Sequence, residues 1–397
     1  MSSDPRRTGL ILVGVRGAVA TTVLHGLEAL RSGVPPVGLV TESPEFRDLP
    51  WLDLGGLRVV GWDITGSSHR SAAELARVGV LPQDLVDLCG DLRDRLEMRL
   101  APGIAEPEDS ELCDPAARER LLLPPREAVE ALRQDLREWR KEEGLHRAVV
   151  VDLATTERVR ELPEEWQDPE ADPLALLEKA PMEISRSILY AVASLAEGLP
   201  FVNFTPAPGG AVPAVAGYAR RQGLPVLGND GKTGETLLKS ALAPLFRDRH
   251  LSVLSWEGYN LLGNRDGASL VDPTRARGKK ENKDAVVAAI LGDERVHTRV
   301  GIDFVPSLHD WKTAWDFIHF EGFLGVRMQL QFTWHGSDSA LAAPLILDLA
   351  RIAFLAQDRG EEGPLAAAAP FFKAPLGCAD YDFHRQMDAF RAWLRSA

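Results

Sequence analysis

Residues 9–20 read GLILVGVRGAVA, an apolar run that breaks into a turn of small residues. The run 9–13 suits a strand. The turn carries Gly14, Gly17 and Ala20, and residues 21–30 then show helical spacing of Val23, Leu24, Leu27 and Leu30. A strand entering a helix this way opens a βαβ unit and implies a parallel sheet. Small residues in the turn let backbone amides at the helix start approach a pyrophosphate. The spacing departs from the usual dinucleotide fingerprint, because Arg16 stands where its second glycine would be. The same pattern also serves as a plain strand-to-helix turn in any α/β protein.

Outward from this stretch, strands and helices alternate. Residues 37–40 read as a second strand ending at Thr41-Glu42, with Glu42 a candidate for a ribose. Residues 57–60 read as a strand ending in Gly61-Trp62-Asp63, residues 70–99 as helical, and 101–116 as loop. An amphipathic helix is expected over 125–141, a strand over 148–152, a helix over 184–196 and a strand over 201–204. A helix over 214–222 and a strand over 225–228 follow. The alternation runs to about residue 245, as in a doubly wound fold. Beyond it, 251–256, 298–306 and 325–334 read as longer strands, with helices over 282–292 and 311–318. That order suggests an α+β unit. A strongly apolar helix over 341–356, an Ala/Pro spacer over 363–370 and a last helix end the chain.

Composition sets the bounds. The 397 residues suit one large or two medium domains, and 45% hydrophobic with 26% charged content is that of a folded protein. No apolar run approaches the ~18 residues that span a bilayer. The polar start, residues 1–8, does not resemble a signal peptide, so a cytoplasmic protein is expected. Cys89, Cys113 and Cys378 are far apart with no CxxC, which opposes a disulfide framework or a zinc ribbon. The histidines show no metal-ligand spacing, so no metal is expected. A net charge of −13 opposes nucleic acid or an anionic membrane as partner. No Gly-x-Ser-x-Gly elbow is present.

Two further features carry chemistry. Residues 228–236, GNDGKTGET, follow a strand and open a helix, offering amides, Lys232 and Thr233 to an anion. A Walker A loop would need glycine at position 226, which is Val226, so the kinase or ATPase reading fails. A helix-capping loop is the plain alternative. The second feature is the lysines. Lys279 and Lys283 lie four apart ahead of an apolar segment, a pattern that also suits a solvated surface. Lys312 sits between Trp311 and Trp315, and Lys373 between Phe372 and Ala374. Apolar surroundings fit a lysine for proton transfer or oxyanion stabilisation, although a snorkelling stem looks the same in sequence.

Taken together, these segments resemble the myo-inositol-1-phosphate synthase family. The residues that carry the resemblance are GWDI at 61–64, TTER at 155–158, GNDGKTGET at 228–236 and YNLLGNRDG at 259–267. Lys279, Lys283, DWK at 310–312, DS at 338–339, PLILD at 344–348 and KAPL at 373–376 continue it. They follow the family's order and cover nearly the whole chain.

The resemblance implies an α/β fold, a Rossmann-type doubly wound parallel sheet interrupted by an α+β catalytic and tetramerisation domain. The NAD-binding part would be residues 1–240 and 345–397, and the α+β part 241–344. It implies a homotetramer, bound NAD, and cyclisation of D-glucose 6-phosphate to 1D-myo-inositol 3-phosphate by oxidation, enolisation, aldol closure and reduction. Lys279 and Lys312 would serve the hydride steps at C5, and Lys283 and Lys373 the aldol step at C1. Thr233, Gly234, Glu235, Thr236, Leu262 and Asn264 would bind the sugar phosphate. Gly14, Val15, Arg16, Gly17, Ala18, Asp63, Thr155, Thr156 and Thr205 would lie on the cofactor side, with Asp230, Asp266, Asp310 and Asp338.

Glu235 stands where the family usually has Gln. A carboxylate beside a phosphate is unfavourable unless it points away or pairs with a cation, for which Arg265 is the candidate. A cyclase acting on another hexose or ketose phosphate, a plain NAD-dependent dehydrogenase, and a catalytically silent sensor are the competing readings. The last two have no need of Lys283 and Lys373.

Overall fold

The computed structural model describes residues 7–66, 72–90, 92, 99–264, 267 and 286–396. Lys279, Lys283, Asp266 and Arg265 lie outside the described residues. Among the described residues, one sheet contains β1 (Arg7–Val13), β2 (Leu57–Asp63), β3 (Leu100–Pro102), β4 (Leu145–Asp152), β5 (Phe201–Asn203), β6 (Pro225–Leu227) and β11 (Gly363–Pro364). Every pairing in it is parallel, in the order β11-β6-β5-β4-β1-β2-β3. The chain runs outward from β1 through β2 to β3, then crosses to β4 and runs outward the other way. The switch point therefore lies between β1 and β4, where doubly wound sheets bind ligands.

β1 and β4 are apolar on both faces because helices cover both. Leu10, Leu12, Val149 and Val151 share one core cluster with the helices Ala18–Arg31, Asp338–Asp358 and Phe383–Arg395. Ile11, Val13, Ala148 and Val150 share another with Pro125–Glu142, Arg186–Ala196 and Pro213–Arg221. Consecutive residues pointing to opposite faces produce this division. Gly61 in β2 allows the strands their close approach, since a Cβ there would lie 2.2 Å from the Leu12 carbonyl oxygen.

A second sheet is built from β7 (Ser252–Leu262), β8 (His297–Phe304), β9 (Trp311–Glu321) and β10 (Arg327–Ser337), in the order β10-β9-β7-β8. β7 and β8 are parallel, and the other two pairings are antiparallel. The chain then enters Asp338–Asp358 and rejoins the first sheet at β11.

Three expectations from the sequence are corrected. Residues 37–40 are not a strand. Pro35 and Pro36 remove backbone donors, Val37 is 90% exposed, and Val40–Glu42 is a short 3-10 helix. The helix expected over 311–318 is instead β9. Its inward face is Lys312, Ala314, Asp316 and Ile318, all buried. Two inward charges hide the period-2 hydrophobic pattern that would have marked the strand. Finally, Asp338–Asp358 is long and apolar enough to cross a bilayer by length and composition, but 78% of its apolar window is buried in the core.

That helix also fixes the segment after Pro36. Asp348 accepts hydrogen bonds from the Val40 amide (2.8 Å), the Thr41 amide (3.0 Å) and the Thr41 hydroxyl (2.6 Å). Arg351 donates to Thr41 and to Glu42, turning Glu42 onto this helix. Replacing Asp348 with Ala strands buried donors. The Asp348→Ala variant is expected to lose about 2–4 kcal/mol in urea denaturation, whereas Asp358→Ala, on the half-exposed rim, changes stability by less than about 0.5 kcal/mol.

Candidate active site

The C-terminal ends of the parallel strands share one local device. At the end of β2, Asp63 accepts from the Thr65 amide (3.0 Å) and hydroxyl (2.8 Å). At the end of β4, Asp152 accepts from the Ala154 amide (3.0 Å). At the end of β5, Asn203 accepts from the Thr205 amide (3.0 Å) and hydroxyl (2.7 Å). Each is a side chain closing a turn two residues on. The three turns shape one side of a cavity of about 310 Å³.

The turn after β1 forms the cavity's floor. Gly14 has a φ of +80° and donates to the Trp62 carbonyl at 2.8 Å. Gly17 donates to the Gly14 carbonyl and begins the helix Ala18–Arg31 without any side-chain cap. The first amides of that helix therefore remain available to an anion. A Cβ on Gly17 would sit 3.1 Å from the Gly14 oxygen, so the turn leaves little room for a larger residue there. The Val15 side chain points into the core and is fully buried. The Arg16 amide donates to Asp63 at 2.8 Å, and its guanidinium donates to the Thr65 carbonyl. An open helix start, a close-turning loop and an accepting carboxylate at the end of β2 are the arrangement that suits a dinucleotide.

The opposite side comes from the second sheet and the returning chain. Residues 228–232 pair with 371–376 through the Asn229, Lys232, Lys373, Ala374 and Leu376 amides. This pairing places the Lys373 ammonium 2.7 Å from the Asp230 carboxylate. Thr233 starts the helix Gly234–Asp248, again without a side-chain cap. Gly234 has a φ of +54°, and a Cβ there would lie 3.2 Å from the Trp334 ring nitrogen and 3.9 Å from the Lys312 ammonium. Lys312 is also 3.7 Å from Asp338, which accepts from Asn264 at 3.2 Å. Asp310 accepts from Ser337 (2.7 Å) and Ser339, and burial raises its pKa.

Most of the expected site residues meet here. The cavity is lined by Gly14, Arg16, Gly17, Ala18, Asp63, Thr155, Thr156, Thr205, Asp230 and Thr233, and by Leu262, Asn264, Asp310, Lys312, Asp338 and Lys373. Val15, Gly234, Glu235 and Thr236 are not among the lining residues. Glu235 is fully buried and pairs with Lys239 at 2.8 Å. A cation beside it is thus one helical turn away in its own helix, a spacing visible in the sequence but not used.

Other residues were missed. Asp152, Asn203 and the two serines at 337 and 339 build the site from beneath. The Asx spacing at three strand ends was the available signal. Glu157 and Arg186 also line the cavity. Glu157 accepts from the Arg186 amide (3.0 Å) and the Ser187 amide (2.8 Å), so it caps the helix Arg186–Ala196. Burial pushes its pKa up to about 7, and that of Asp152 to about 6. Behind the second loop, burial brings Lys232 down to about 7, and its ammonium donates to Gln386 at 2.5 Å.

A family model described as myo-inositol-1-phosphate synthase, of NAD-binding type, matches residues 8–395. The inositol-3-phosphate synthase 1 of Bacteroides thetaiotaomicron is 33% identical over 412 residues, covering 98% of this chain and 93% of that protein. A crystal structure of inositol-3-phosphate synthase from Caenorhabditis elegans aligns with a TM-score of 0.86 at 26% identity, covering 98% of this chain and 86% of that one. A myo-inositol-1-phosphate synthase-related protein from Thermotoga maritima shares the fold, with a TM-score of 0.78, 23% identity and 98% of each chain covered.

The raised carboxyl pKa values have a sign. Glu157 and Asp152 keep their protons in the folded state above the pH at which the unfolded chain loses them. Their contribution to stability is present at low pH and is lost as pH rises from about 4 to about 7. Glu157→Gln cannot ionise. Its melting temperature is therefore expected to gain on the wild type between pH 5 and pH 8, measured by paired thermal scans. A constant difference across that range contradicts the assignment.

Proposed function

Because the chain belongs to the myo-inositol-1-phosphate synthase family, we infer that it cyclises D-glucose 6-phosphate to 1D-myo-inositol 3-phosphate with bound NAD. The observation that carries this reading is the family match over residues 8–395, joined to a cavity lined by both the glycine turn and two lysines. NAD, when bound, supplies the acceptor and donor of the hydride at C5. The uncapped amides at the start of the helix Ala18–Arg31 would hold its pyrophosphate. Asp63, Thr155, Thr156 and Thr205 line the same side.

The sugar phosphate would sit at the open start of the helix Gly234–Asp248, with Thr233, which lines the cavity, as a further donor. Lys312, beside that helix start, would stabilise the oxygen on C5 as negative charge builds there. Lys373, held by Asp230, would stabilise the C1 oxygen as the C6–C1 bond forms and would pass it a proton. Asp310 and Asp338 hold the Lys312 side of the cavity in place. The hydride and the protons lost in the early steps return in the later ones, so the product is an isomer of the substrate. Lys279 and Lys283 would complete the lysine set.

We also infer a homotetramer. β10 is an edge strand of the second sheet, and edges with unpaired backbone groups attract partners. Its Met328 and Leu330 leave an apolar surface exposed on one face of the sheet, while Tyr259 and Trp315, paired across β7 and β9, are exposed on the opposite face. A second copy of the chain is the cover this reading assigns to it.

Purified protein given glucose 6-phosphate and NAD is expected to form an inositol phosphate, seen by phosphorus NMR, with no net NADH absorbance. Steady accumulation of NADH would instead make it a simple dehydrogenase. Lys312→Ala is expected to slow cyclisation about 100-fold or more. In sedimentation velocity the protein is expected to run as a tetramer, and Leu330→Lys to shift it to smaller species.

A further inference from the structure

Behind the start of the helix Gly234–Asp248 lies a group of charges that lines no part of the cavity. Glu235 and Lys239 are one turn apart on the helix, with the Lys239 ammonium 2.8 Å from the Glu235 carboxylate. The same ammonium is 3.5 Å from Asp316 of β9. All three side chains are buried, at 0%, 2% and 0% exposure for Glu235, Lys239 and Asp316. The Trp256 ring nitrogen donates to Asp316 at 2.8 Å from β7.

The sheet makes room for this group at one position. Gly258 of β7 pairs with Asp316 across the strands. A Cβ on Gly258 would lie 2.4 Å from the Glu235 carboxylate and 2.7 Å from the Lys239 ammonium. A larger residue there would displace the charged ends above it. Asp316 and Lys312 lie on the same face of β9, four residues apart. Glu235 lies in the first turn of the helix whose start faces the cavity. The group thus joins the helix start to the strand that carries Lys312.

A buried ion group is a poor choice for stability alone, because well-packed apolar side chains often hold as well or better. Its physical advantage is geometric. Hydrogen-bonded charges fix a separation and a direction, whereas apolar surfaces can slide. Burial, together with Glu235, pushes the Asp316 pKa up to about 6, which agrees with a carboxylate that depends on a nearby ammonium for its charge.

We propose that Lys239 is a positioning residue: through Asp316 it sets the distance between the anion-binding start of the helix Gly234–Asp248 and the Lys312 ammonium. The role rests on the reading that this helix start holds the substrate phosphate while Lys312 serves the reacting carbons. Lys239 touches neither. It holds the anchor and the catalytic group at one spacing.

The test compares the full-length wild type with Asp316→Asn, which leaves Glu235 and Lys239 as a neutral pair but removes the charged link to β9. Three quantities are read: inorganic phosphate affinity by calorimetry, kcat with glucose 6-phosphate, and the phosphate-induced shift of the Lys312 amine. The last is followed by NMR after reductive carbon-13 methylation, with Lys312→Arg giving the assignment. Phosphate affinity is expected to stay within about threefold, while kcat falls about 10- to 100-fold and the Lys312 shift is lost. An unchanged kcat and shift in folded Asp316→Asn overturns the proposal. So does a parallel fall of kcat and phosphate affinity with a lowered melting temperature, which marks a merely structural support. Should Asp316→Asn not fold, Asp316→Glu keeps the charge, lengthens the link by one methylene and is judged by the same readings. If the wild type forms no inositol phosphate, the cyclase reading fails, and the Lys312 shift with inorganic phosphate still decides the positioning role.

Discussion

Two helices begin at the C-terminal edge of one parallel sheet with no side chain capping their first amides, at Gly17 and at Thr233. Uncapped amides are costly unless water or an anion satisfies them. A parallel sheet with crossover helices brings such helix starts to the same edge, so the two anion-accepting points follow from the strand order. Everything else in the site is arranged around them. The Asx turns at Asp63, Asp152 and Asn203 shape the space between, and the second sheet closes it from the far side.

The second sheet matters less for its own core than for where it delivers Lys312. That lysine comes from an inward position of β9, where an aliphatic residue would otherwise be expected. Burying a lysine needs compensation, and Asp338 stands 3.7 Å away. The returning chain performs the same service for Lys373. Its backbone ladder against residues 228–232 sets the Lys373 ammonium on Asp230. Among the described residues, the two cavity lysines thus reach their places by different routes, one along a strand and one through a pairing between segments more than a hundred residues apart.

The family resemblance, the α/β class and the glycine turn were legible in the sequence because each rests on local spacing. Most boundaries in the first 230 residues were legible for the same reason. The failures are also physical. Residues 37–40 carried strand-like composition, but Pro35-Pro36 ahead of them left no ladder to join. Residues 311–321 hid their alternation because Lys312 and Asp316 occupy inward positions. A functional strand breaks the pattern by which strands are recognised. Glu235 posed the sharpest question, and one cation beside it is Lys239, four residues along the same helix.

By itself the sequence determined the family, the dinucleotide turn and the identity of the lysines, since those depend on residue types in order along the chain. Tertiary structure alone decided which of those residues share a cavity and which lie behind it. Glu235 sits in the same nine-residue motif as Asp230, Gly231 and Thr233, yet those three line the cavity and it does not. The reason is geometric. A helix start turns successive side chains to different sides, and where each one ends depends on the sheet packed against it, here on the space left by Gly258.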